Sequence, residues 1–368
     1  MEVLRRNVRA WYEEERPRLA SFPGVGRVAG RKFRNLLCGL VPEGRASRAD
    51  GAALPPVAPA IPQALLKAEI ECLPRVQQLV RSNQFVVLYA RAPQIPWCLQ
   101  EIGRLRELGF RAAGEGTGKA SDVDLFDAYY VHLFVWDARA DSIVGAYRLG
   151  LTDEILAHYG RRGLYTQSLF KYGSRLLCRL NPGIELGRSF VRLEYQRTFL
   201  PLLLLWRGIG RFLVLSPRYP ILFGPVSISN SYSRLSRELM VEYLSLNNVE
   251  DELARHVRPR RPFRIGRSIG ERCESATFRD IDDLSRAVEQ IEGDRRGIPV
   301  LLRQYLKLGG RLLGFSTDGQ FNEVLDGLIM VDLRASDPRL LARYMGEEGA
   351  ATFLRYHVAD PKSERHAS

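Results

Sequence analysis

The sequence predicts an α/β fold, in which a layered sheet is packed against helices. Two observations lead to this class. Short continuous apolar runs, typical of buried strands, alternate with longer segments whose apolar residues recur at helical spacing. A chain whose strands and helices interleave in this way forms an α/β layered domain. Its 368 residues are enough for one large domain or two ordinary ones.

The predicted elements follow one another from residue 85. The first are a buried strand over 85–90, a helix over 96–108 that begins at a proline, and strands over 129–136 and 143–149 joined by the polar turn 137–141. Next come a strand over 184–191, a largely apolar helix over 199–215, a strand over 221–228 and a helix over 231–246 with Ser229 or Asn230 as its N-cap. Helices near 280–292 and 300–308 and a strand near 328–333 complete the pattern.

The chain is predicted to divide into three parts. Residues 1–63 form a basic N-terminal extension ending in a proline- and alanine-rich linker, a composition that suits an extended connection. Residues 64–357 form the α/β domain, and residues 358–368 form a disordered tail.

The net charge of +12 indicates an acidic partner. Nucleic acid, anionic lipid and an acidic protein all fit, and a solvated arginine-rich surface is the plain alternative. The five scattered cysteines have neither metal-ligand nor CxxC spacing, so we expect no metal site and a reducing cytoplasm. The longest apolar run, 199–206, is too short to span a bilayer, and the charged N-terminus has no signal-peptide core.

Two motifs fail on inspection. The segment 114–119 resembles a phosphate loop, but Ala113 stands where that loop needs glycine and Ala120 where it needs serine or threonine, so we expect a flexible substrate-covering loop. His132 and Asp137 have the HxxxxD spacing of glycerolipid acyltransferases. On a strand, however, a separation of five points two side chains to opposite faces. His132 is therefore expected to be a strand histidine with satisfied hydrogen bonds.

A block of charge set among strand-like sequence is the strongest functional signal. It runs through 104–111, 122–127, 145–150 and 185–191, where arginines, carboxylates and aromatic residues recur. Charges are costly to bury unless they are paired. The block therefore predicts a lined cleft rather than a plain core.

This block resembles the acyltransferases that include the acyl-homoserine-lactone synthases, over roughly residues 64–357. It is more similar still to the hemolysin-like N-acyltransferases, which include the ornithine lipid synthase that makes lyso-ornithine lipid, because Leu-Leu-Trp-Arg-Gly-Ile follows at 204–209. The shared marks are an arginine–phenylalanine pair, a D-x-x-D box, a strand arginine and an E-x-x-R strand. They fall on Arg106 and Phe110, Asp124 and Asp127, Arg148, and Glu185 and Arg188.

The resemblance implies a variant of the GNAT fold, with a mixed central sheet flanked by helices. It also implies transfer of a (3-hydroxy)fatty acyl chain from acyl carrier protein (ACP) to the amine of an amino acid, ornithine or similar, in aminolipid biosynthesis. Members that use acetyl-CoA carry a glycine-rich loop whose amides hold pyrophosphate. This chain has Arg-Leu-Glu-Tyr-Gln-Arg-Thr at 192–198 instead, so we expect an acyl-ACP donor rather than acyl-CoA and no tightly bound cofactor.

The resemblance also suggests roles for the marked residues. Glu185 is the candidate base with Arg188 as its catalytic partner, or else it forms an ion pair with Arg188 or Arg148. If Glu185 and Arg188 both face the cleft, a bulge is needed at Gly187.

Substrate contacts are predicted for six residues. Asp124 and Asp127 are acceptor-side or loop-organising carboxylates, Arg106 and Arg148 bind the carboxylate of the acceptor, and Phe110 and Trp206 line the acyl channel. The alternatives are Arg–Asp salt bridges for the charged residues and core packing for the aromatic ones.

Two other functions compete with N-acyl transfer. One is O-acylation of a lysophospholipid, for which the HxxxxD match is weak, and the other is a non-catalytic basic module that binds membrane or RNA. We expect ACP and an amino acid as partners and no nucleic acid. The basic tract over 258–264 fits an anionic membrane surface, so a cytoplasmic protein peripheral to the inner face of the plasma membrane is expected.

Overall fold

The computed structural model describes residues 54–265, 278–294 and 296–359. Its α-helices and strands, numbered in chain order, are α1 Gln63–Cys72, β1 Gln78–Ser82, β2 Phe85–Arg91, α2 Pro96–Ala112, β3 Val131–Asp137, β4 Ser142–Leu151, α3 Thr152–Tyr159, β5 Phe170–Tyr172, α4 Ser174–Leu180, β6 Gly183–Val191, α5 Leu200–Leu215, β7 Ile221–Ile228, α6 Arg234–Asn247, α7 Asp251–Ala254, β8 Val257–Pro259, α8 Ile281–Glu292, α9 Val300–Lys307, β9 Arg311–Asp318, β10 Val324–Asp332, α10 Pro338–Met345 and α11 Glu347–Ala359.

These residues form two compact units. The first unit comprises 54–112, 116–164 and 188–215, and the second comprises 113–115, 165–187 and the described residues from 216 onwards. Most of the predicted N-terminal extension and of the C-terminal tail lies outside the described residues.

The first unit is built on an antiparallel sheet with the strand order β1-β2-β3-β4. One face packs against α1 and α2 through a core that includes Leu88, Ile102 and Phe134. The other face packs against α5, where a Cβ atom on Gly208 would lie only 2.6 Å from Val87 Cγ1. The sheet is therefore covered on both sides, which explains why its strands read as nearly continuous apolar runs.

The second unit contains a mixed sheet with the strand order β6-β7-β10-β9. Strands β6 and β7 run parallel over Gly183–Glu185 and Ile221–Phe223, whereas β7, β10 and β9 are antiparallel. Gly224 follows the last residue of β7 that pairs with β6, and a Cβ atom there would lie 2.1 Å from the carbonyl oxygen of Leu186. Strands β5 and β8 form a separate two-stranded sheet in this unit.

The predicted α/β fold with a mixed sheet and flanking helices is confirmed. Strands β2, β3, β4, β6 and β7 and helices α2, α5 and α8 lie within a few residues of their predicted bounds. Strands β1 and β9 and the short helices α3 and α4 were not predicted. Their sequences are short or half exposed, so their apolar periodicity is weak.

The predicted N-cap of α6 is wrong. The helix begins at Arg234, and the side chain of Ser233 accepts the N–H of Ser236. Ser229 and Asn230 precede this cap, and their side chains donate hydrogen bonds to the carbonyls of Ala113 and Asn322 instead.

A bulge at Gly187 stays a prediction. Arg188, the next residue, has a φ of +52°, in the left-handed region that non-glycine residues rarely occupy. The backbone of β6 is therefore irregular at Arg188.

Candidate active site

Three arginines and three aspartates meet in the first unit and form the Arg–Asp cluster. Its members are Arg106 of α2, Arg148 of β4, Arg188 of β6, and Asp122, Asp124 and Asp127 between α2 and β3. Arg106 Nη1 lies 2.8 Å from Asp127 Oδ1. Arg148 Nη1 lies 2.6 Å from Asp124 Oδ1 and 3.3 Å from Asp127 Oδ1. Arg106, Arg148, Asp124 and Asp127 thus meet within one unit, whereas a convergence of the arginines with Glu185 stays a prediction.

Arg188 completes the cluster from the neighbouring strand. Its Nε lies 3.0 Å from Asp122 Oδ2, and its Nη2 lies 3.2 Å from Asp124 Oδ2. Each of the three arginines therefore contacts at least one aspartate, which is the salt-bridge alternative considered for these residues.

The D-x-x-D spacing produces a reciprocal cap on the 3₁₀ turn Leu125–Ala128. Asp124 Oδ1 accepts the backbone N–H groups of Phe126 and Asp127, and Asp127 Oδ2 accepts the N–H of Asp124 at 2.9 Å. Two carboxylates three residues apart satisfy the donors at the start of a turn in this way. The geometry supports the loop-organising role for both aspartates.

Burial and charge act against each other in this cluster. Burial raises the pKa of Asp127, but the charges of Arg106 and Arg148 outweigh it and hold that pKa well below its usual range. For Asp122, burial prevails over Arg188 and Arg106, and the pKa is raised. Since Arg106 and Arg148 are 0% exposed, their guanidinium groups lie inside the unit. Binding of an acceptor carboxylate by these two arginines stays a prediction.

His132 is a buried strand histidine beside the cluster, as predicted, but its hydrogen bonds are not all satisfied, because its buried Nδ1 has no partner among the described residues. Its Nε2 lies 2.9 Å from the carbonyl oxygen of Asp127, and burial together with Arg106 lowers its pKa to about 4 against the opposing charge of Asp127. Asp137, the other half of the HxxxxD match, ends β3 and accepts the N–H groups of Arg139 and Ala140 in the hairpin turn. His132 and Asp137 therefore contact different groups and do not form a pair, as the strand geometry predicts.

Glu185 holds the turn Tyr165–Ser168 against β6 in the second unit. Its Oε2 accepts the N–H of Tyr165 at 2.9 Å, and its Oε1 accepts both the N–H of Thr166, at 2.8 Å, and the Thr166 hydroxyl. The phenol of Tyr172 lies 2.6 Å from the same hydroxyl. The side chain is also buried, so these contacts make Glu185 a positioning residue. A role as the base stays a prediction.

The turn Tyr165–Ser168 also contacts strand β9 of the same unit through an aromatic side chain. Tyr165 donates its phenolic hydrogen to Asp318 Oδ2 at 2.9 Å, at the end of β9. Glu185, Tyr165 and Asp318 are therefore linked through buried polar contacts within this unit, and no sequence motif predicts this link.

The two predicted channel aromatics both pack in the first unit. Phe110 is half-buried against the core beneath α1 and α2. Trp206 is buried in α5, with its ring centroid 6.3 Å from that of Tyr147 in an edge-on arrangement. These contacts fit core packing, and a role in an acyl channel stays a prediction.

The loop after α2 binds a carboxylate of the protein itself. Glu107 accepts the N–H groups of Thr117 and Gly118, at 3.1 and 2.9 Å, and also the Thr117 hydroxyl. Arg111 Nε lies 2.7 Å from the other side of this carboxylate. Two of the amides that a phosphate loop would offer to a ligand are therefore engaged, and a flexible substrate-covering loop stays a prediction.

The segment in place of the glycine-rich pyrophosphate loop is also closed on itself. It forms the 3₁₀ turn Leu193–Tyr195, in which the N–H of Tyr195 donates to the carbonyl of Arg192 and that of Gln196 to the carbonyl of Leu193. These two amides are used within the turn. The sequence departure noted at 192–198 thus has a structural counterpart.

The basic tract over 258–264 is anchored in the second unit. Val257–Pro259 is strand β8, paired with β5, and Arg261 Nη1 lies 2.6 Å from Glu323 Oε1. Arg258 and Arg264 are exposed. Contact with an anionic membrane stays a prediction.

The described residues hold neither a candidate membrane-crossing helix nor a candidate metal cluster. None of their helices combines the length and the apolar character needed to cross a membrane. In the same part of the chain, no three histidine, cysteine or acidic side chains are grouped as metal ligands.

Comparison with known proteins defines the class. A model of the acetyltransferase (GNAT) domain matches residues 105–206, the span that holds both the Arg–Asp cluster and Glu185. The chain is therefore a GNAT-type acyltransferase, an enzyme.

The relatives define the family. The chain is 32% identical over 291 residues to a glycine N(alpha)-acyltransferase of Phocaeicola vulgatus, which covers 74% of this chain and 86% of the relative. It is 33% identical over 298 residues to one of Bacteroides thetaiotaomicron, covering 75% and 86%. The chain belongs to this family of N-acyltransferases. The finer resemblance to ornithine lipid synthase is not supported by these names, and no solved structure matches the chain.

Sequence reasoning passed over one carboxylate in the second unit, Glu115. It lies inside the failed phosphate-loop motif; its partner Ser227, and Asn322, which bonds the preceding Gly114, are more than 100 residues away in the chain. Only the fold brings these residues together.

Proposed function

We propose that this enzyme transfers a fatty acyl chain from the phosphopantetheine thioester of ACP to the α-amine of a small amino acid, with glycine as the preferred acceptor. The single observation that carries the acceptor is the name shared by two relatives that each match about three quarters of this chain. Ornithine, suggested by the Leu-Leu-Trp-Arg-Gly-Ile segment, is the alternative acceptor.

The choice of donor rests on the turn over 192–196. Two of its amides are engaged within the turn, and the glycines that would let a pyrophosphate approach are absent. A thioester arm that is covalently attached to a carrier protein does not need a pyrophosphate cradle. The net charge of +12 supplies the long-range attraction for a strongly acidic carrier.

The chemistry requires a neutral amine, a stabilised oxyanion and a departing thiolate. The nitrogen of the amino acid attacks the thioester carbon, the carbon–sulfur bond breaks, and the nitrogen loses two protons overall. One of these protons ends on the departing sulfur and the other in solvent.

O-acylation of a lysophospholipid is disfavoured by two contacts. The Nε2 atom of His132 faces the carbonyl of Asp127, and Asp137 is committed to the hairpin turn. A histidine base oriented by an aspartate is therefore not formed from this pair. We propose a cytoplasmic enzyme that associates with the membrane through its exposed arginines.

The test is acyl transfer by the purified full-length chain. 3-Hydroxypalmitoyl-ACP and the corresponding acyl-CoA are each incubated with glycine, ornithine or lysophospholipid, and the products are resolved by mass spectrometry. We expect N-acylglycine, formed faster from acyl-ACP than from acyl-CoA. Exclusive formation of N-acylornithine, or of a phospholipid, would overturn the acceptor. Equal rates from acyl-ACP and acyl-CoA would overturn the donor.

A further inference from the structure

The second unit holds a short segment, 113–115, in a fixed position. The Ser229 hydroxyl donates to the carbonyl of Ala113, and Asn322 Nδ2 donates to the carbonyl of Gly114 at 3.0 Å. Gly114 has a φ of +75°, which glycine adopts without strain. Three consecutive residues are thus held by the end of β7 and the β9–β10 hairpin, and the third of them is Glu115.

Partly buried Glu115 differs from four buried carboxylates of the first unit in the partner it has. The Ser227 hydroxyl donates to Glu115 Oε2 at 3.0 Å, and it is the only hydrogen-bond partner of this carboxylate among the described residues. The four carboxylates of the first unit face arginines instead; the pairs are Glu101 with Arg104, Glu107 with Arg111, Asp122 with Arg188, and Asp127 with Arg106. A partly buried carboxylate held by a neutral hydroxyl favours a proton or a cationic ligand.

The surroundings add negative charge at the same place. Asp326 of β10 lies directly opposite Ser227 of β7, and directly paired residues project from the same face of a sheet. Asp326 is buried, at 6% exposure. Tyr232 is close enough for the charge of Glu115 to help raise its pKa, behind burial and against the charge of Arg296, whose guanidinium lies 5.7 Å from the Tyr232 ring.

From this arrangement we infer that Glu115 binds the protonated amine of the acceptor and removes the proton that must leave before the amine attacks the thioester. This inference rests on the proposed function and assigns the acceptor side of its site. The step balances: the ammonium gives one proton to the carboxylate, which becomes a neutral acid and releases it to solvent. The second nitrogen proton leaves with the thiolate after the carbon–sulfur bond has broken.

The protonation equilibrium of Glu115 suits this task. Burial raises its pKa to about 7, although the hydrogen bond from Ser227 opposes the shift. A base whose pKa lies near the working pH is deprotonated often enough to act and basic enough to accept a proton. Ionisable side chains near Ser227 and Glu115 include Asp326 and Tyr232, and Arg296 lies over the Tyr232 ring.

The experiment compares Glu115→Gln with the wild type in the acyl-ACP and glycine assay across pH 5.5–9. We expect kcat/KM to fall about 100-fold or more, the usual range for loss of a general base. In the plot of log kcat/KM against pH, we expect the rising limb near pH 7 to disappear. Melting should be unchanged or higher, because a buried charge has been removed. Glu252→Gln, at an exposed carboxylate paired with Arg175, is the matched control and should keep wild-type kinetics.

A second variant, Ser227→Ala, tests whether the pH dependence of the rate reports the protonation of Glu115. Ser227→Ala removes the hydrogen bond that lowers the pKa of Glu115, so the limb should move to higher pH with the plateau rate largely kept. If the wild type makes no N-acylglycine, the proposed function fails. If the wild type is active and Glu115→Gln keeps both its rate and its limb near pH 7, the function stands and the inference is overturned. An unmoved limb in Ser227→Ala overturns it as well.

Discussion

Replacing Glu185 by glutamine tests whether this carboxylate positions the turn Tyr165–Ser168 or acts in catalysis. The side chain is 1% exposed and accepts hydrogen bonds from two backbone amides and one hydroxyl. Glutamine keeps the shape and one acceptor oxygen but turns an amide NH₂ towards at least one donor. Hydrogen bonds to a charged group contribute about 1.5–3 kcal/mol each, and a buried donor left unsatisfied costs about 1–3 kcal/mol. We therefore expect Glu185→Gln to lower the free energy of unfolding by about 2–4 kcal/mol.

The assay is urea unfolding of the purified chain, followed by circular dichroism, beside the acyl-transfer rate of the folded fraction. Glu252→Gln, which alters an exposed carboxylate, is the control and should change stability by less than about 0.5 kcal/mol. The positioning role would be refuted if Glu185→Gln unfolded with the stability of the wild type while its acyl-transfer rate fell 100-fold or more. Full retention of activity would remove Glu185 from the chemistry altogether.

Three further predictions concern the first unit. Arg148→Met should destabilise it by about 3–5 kcal/mol in urea unfolding, because Asp127 loses one of two cations and remains buried; an effect below 1 kcal/mol would argue against a buried charge network. The pKa of His132 is about 4 in the folded protein and 6.5 for an unperturbed histidine. The unfolded chain therefore binds a proton more readily, and the free energy of unfolding decreases as the pH is lowered. Between pH 7 and 5 the loss should be about 2 kcal/mol, and His132→Gln should abolish that part of the pH dependence; an unchanged pH profile would contradict it. Gly208→Ala should cost about 1–3 kcal/mol through contact with the sheet, whereas Gly109→Ala, which meets nothing within 4 Å, should be neutral or stabilising; equal melting temperatures would refute the close approach of α5.

The elements with strong apolar patterns were predictable from the sequence. Strands β2, β3, β4 and β7 are continuous apolar runs bounded by polar turns, and α5 is apolar almost all round, so local composition was sufficient. Strand β9 was missed because alternating exposed and buried residues are diluted by its glycine and serine.

The candidate site also contains residues that could be predicted from the sequence and residues that could not. Five of the six members of the Arg–Asp cluster, all except Asp122, could be named from the sequence because they match the motifs of the family that the chain resembles. The partners of Glu185 were not, since Tyr165 and Thr166 reach it through a turn that carries no motif. Glu115 was hidden for a physical reason: its burial and its contact with Ser227 depend on packing between segments 112 residues apart.

Isotope labelling in cells tests the central claim most directly. The full-length chain is expressed in a bacterial host that makes no aminolipids, ¹³C-glycine is supplied, and lipid extracts are analysed by mass spectrometry with the Glu115→Gln variant in parallel. We expect labelled N-acylglycine with the wild type and at most about one hundredth as much with the variant. Accumulation of an unlabelled N-acyl amino acid would contradict glycine as the acceptor. Equal amounts of labelled product from the wild type and from Glu115→Gln would contradict Glu115 as the base.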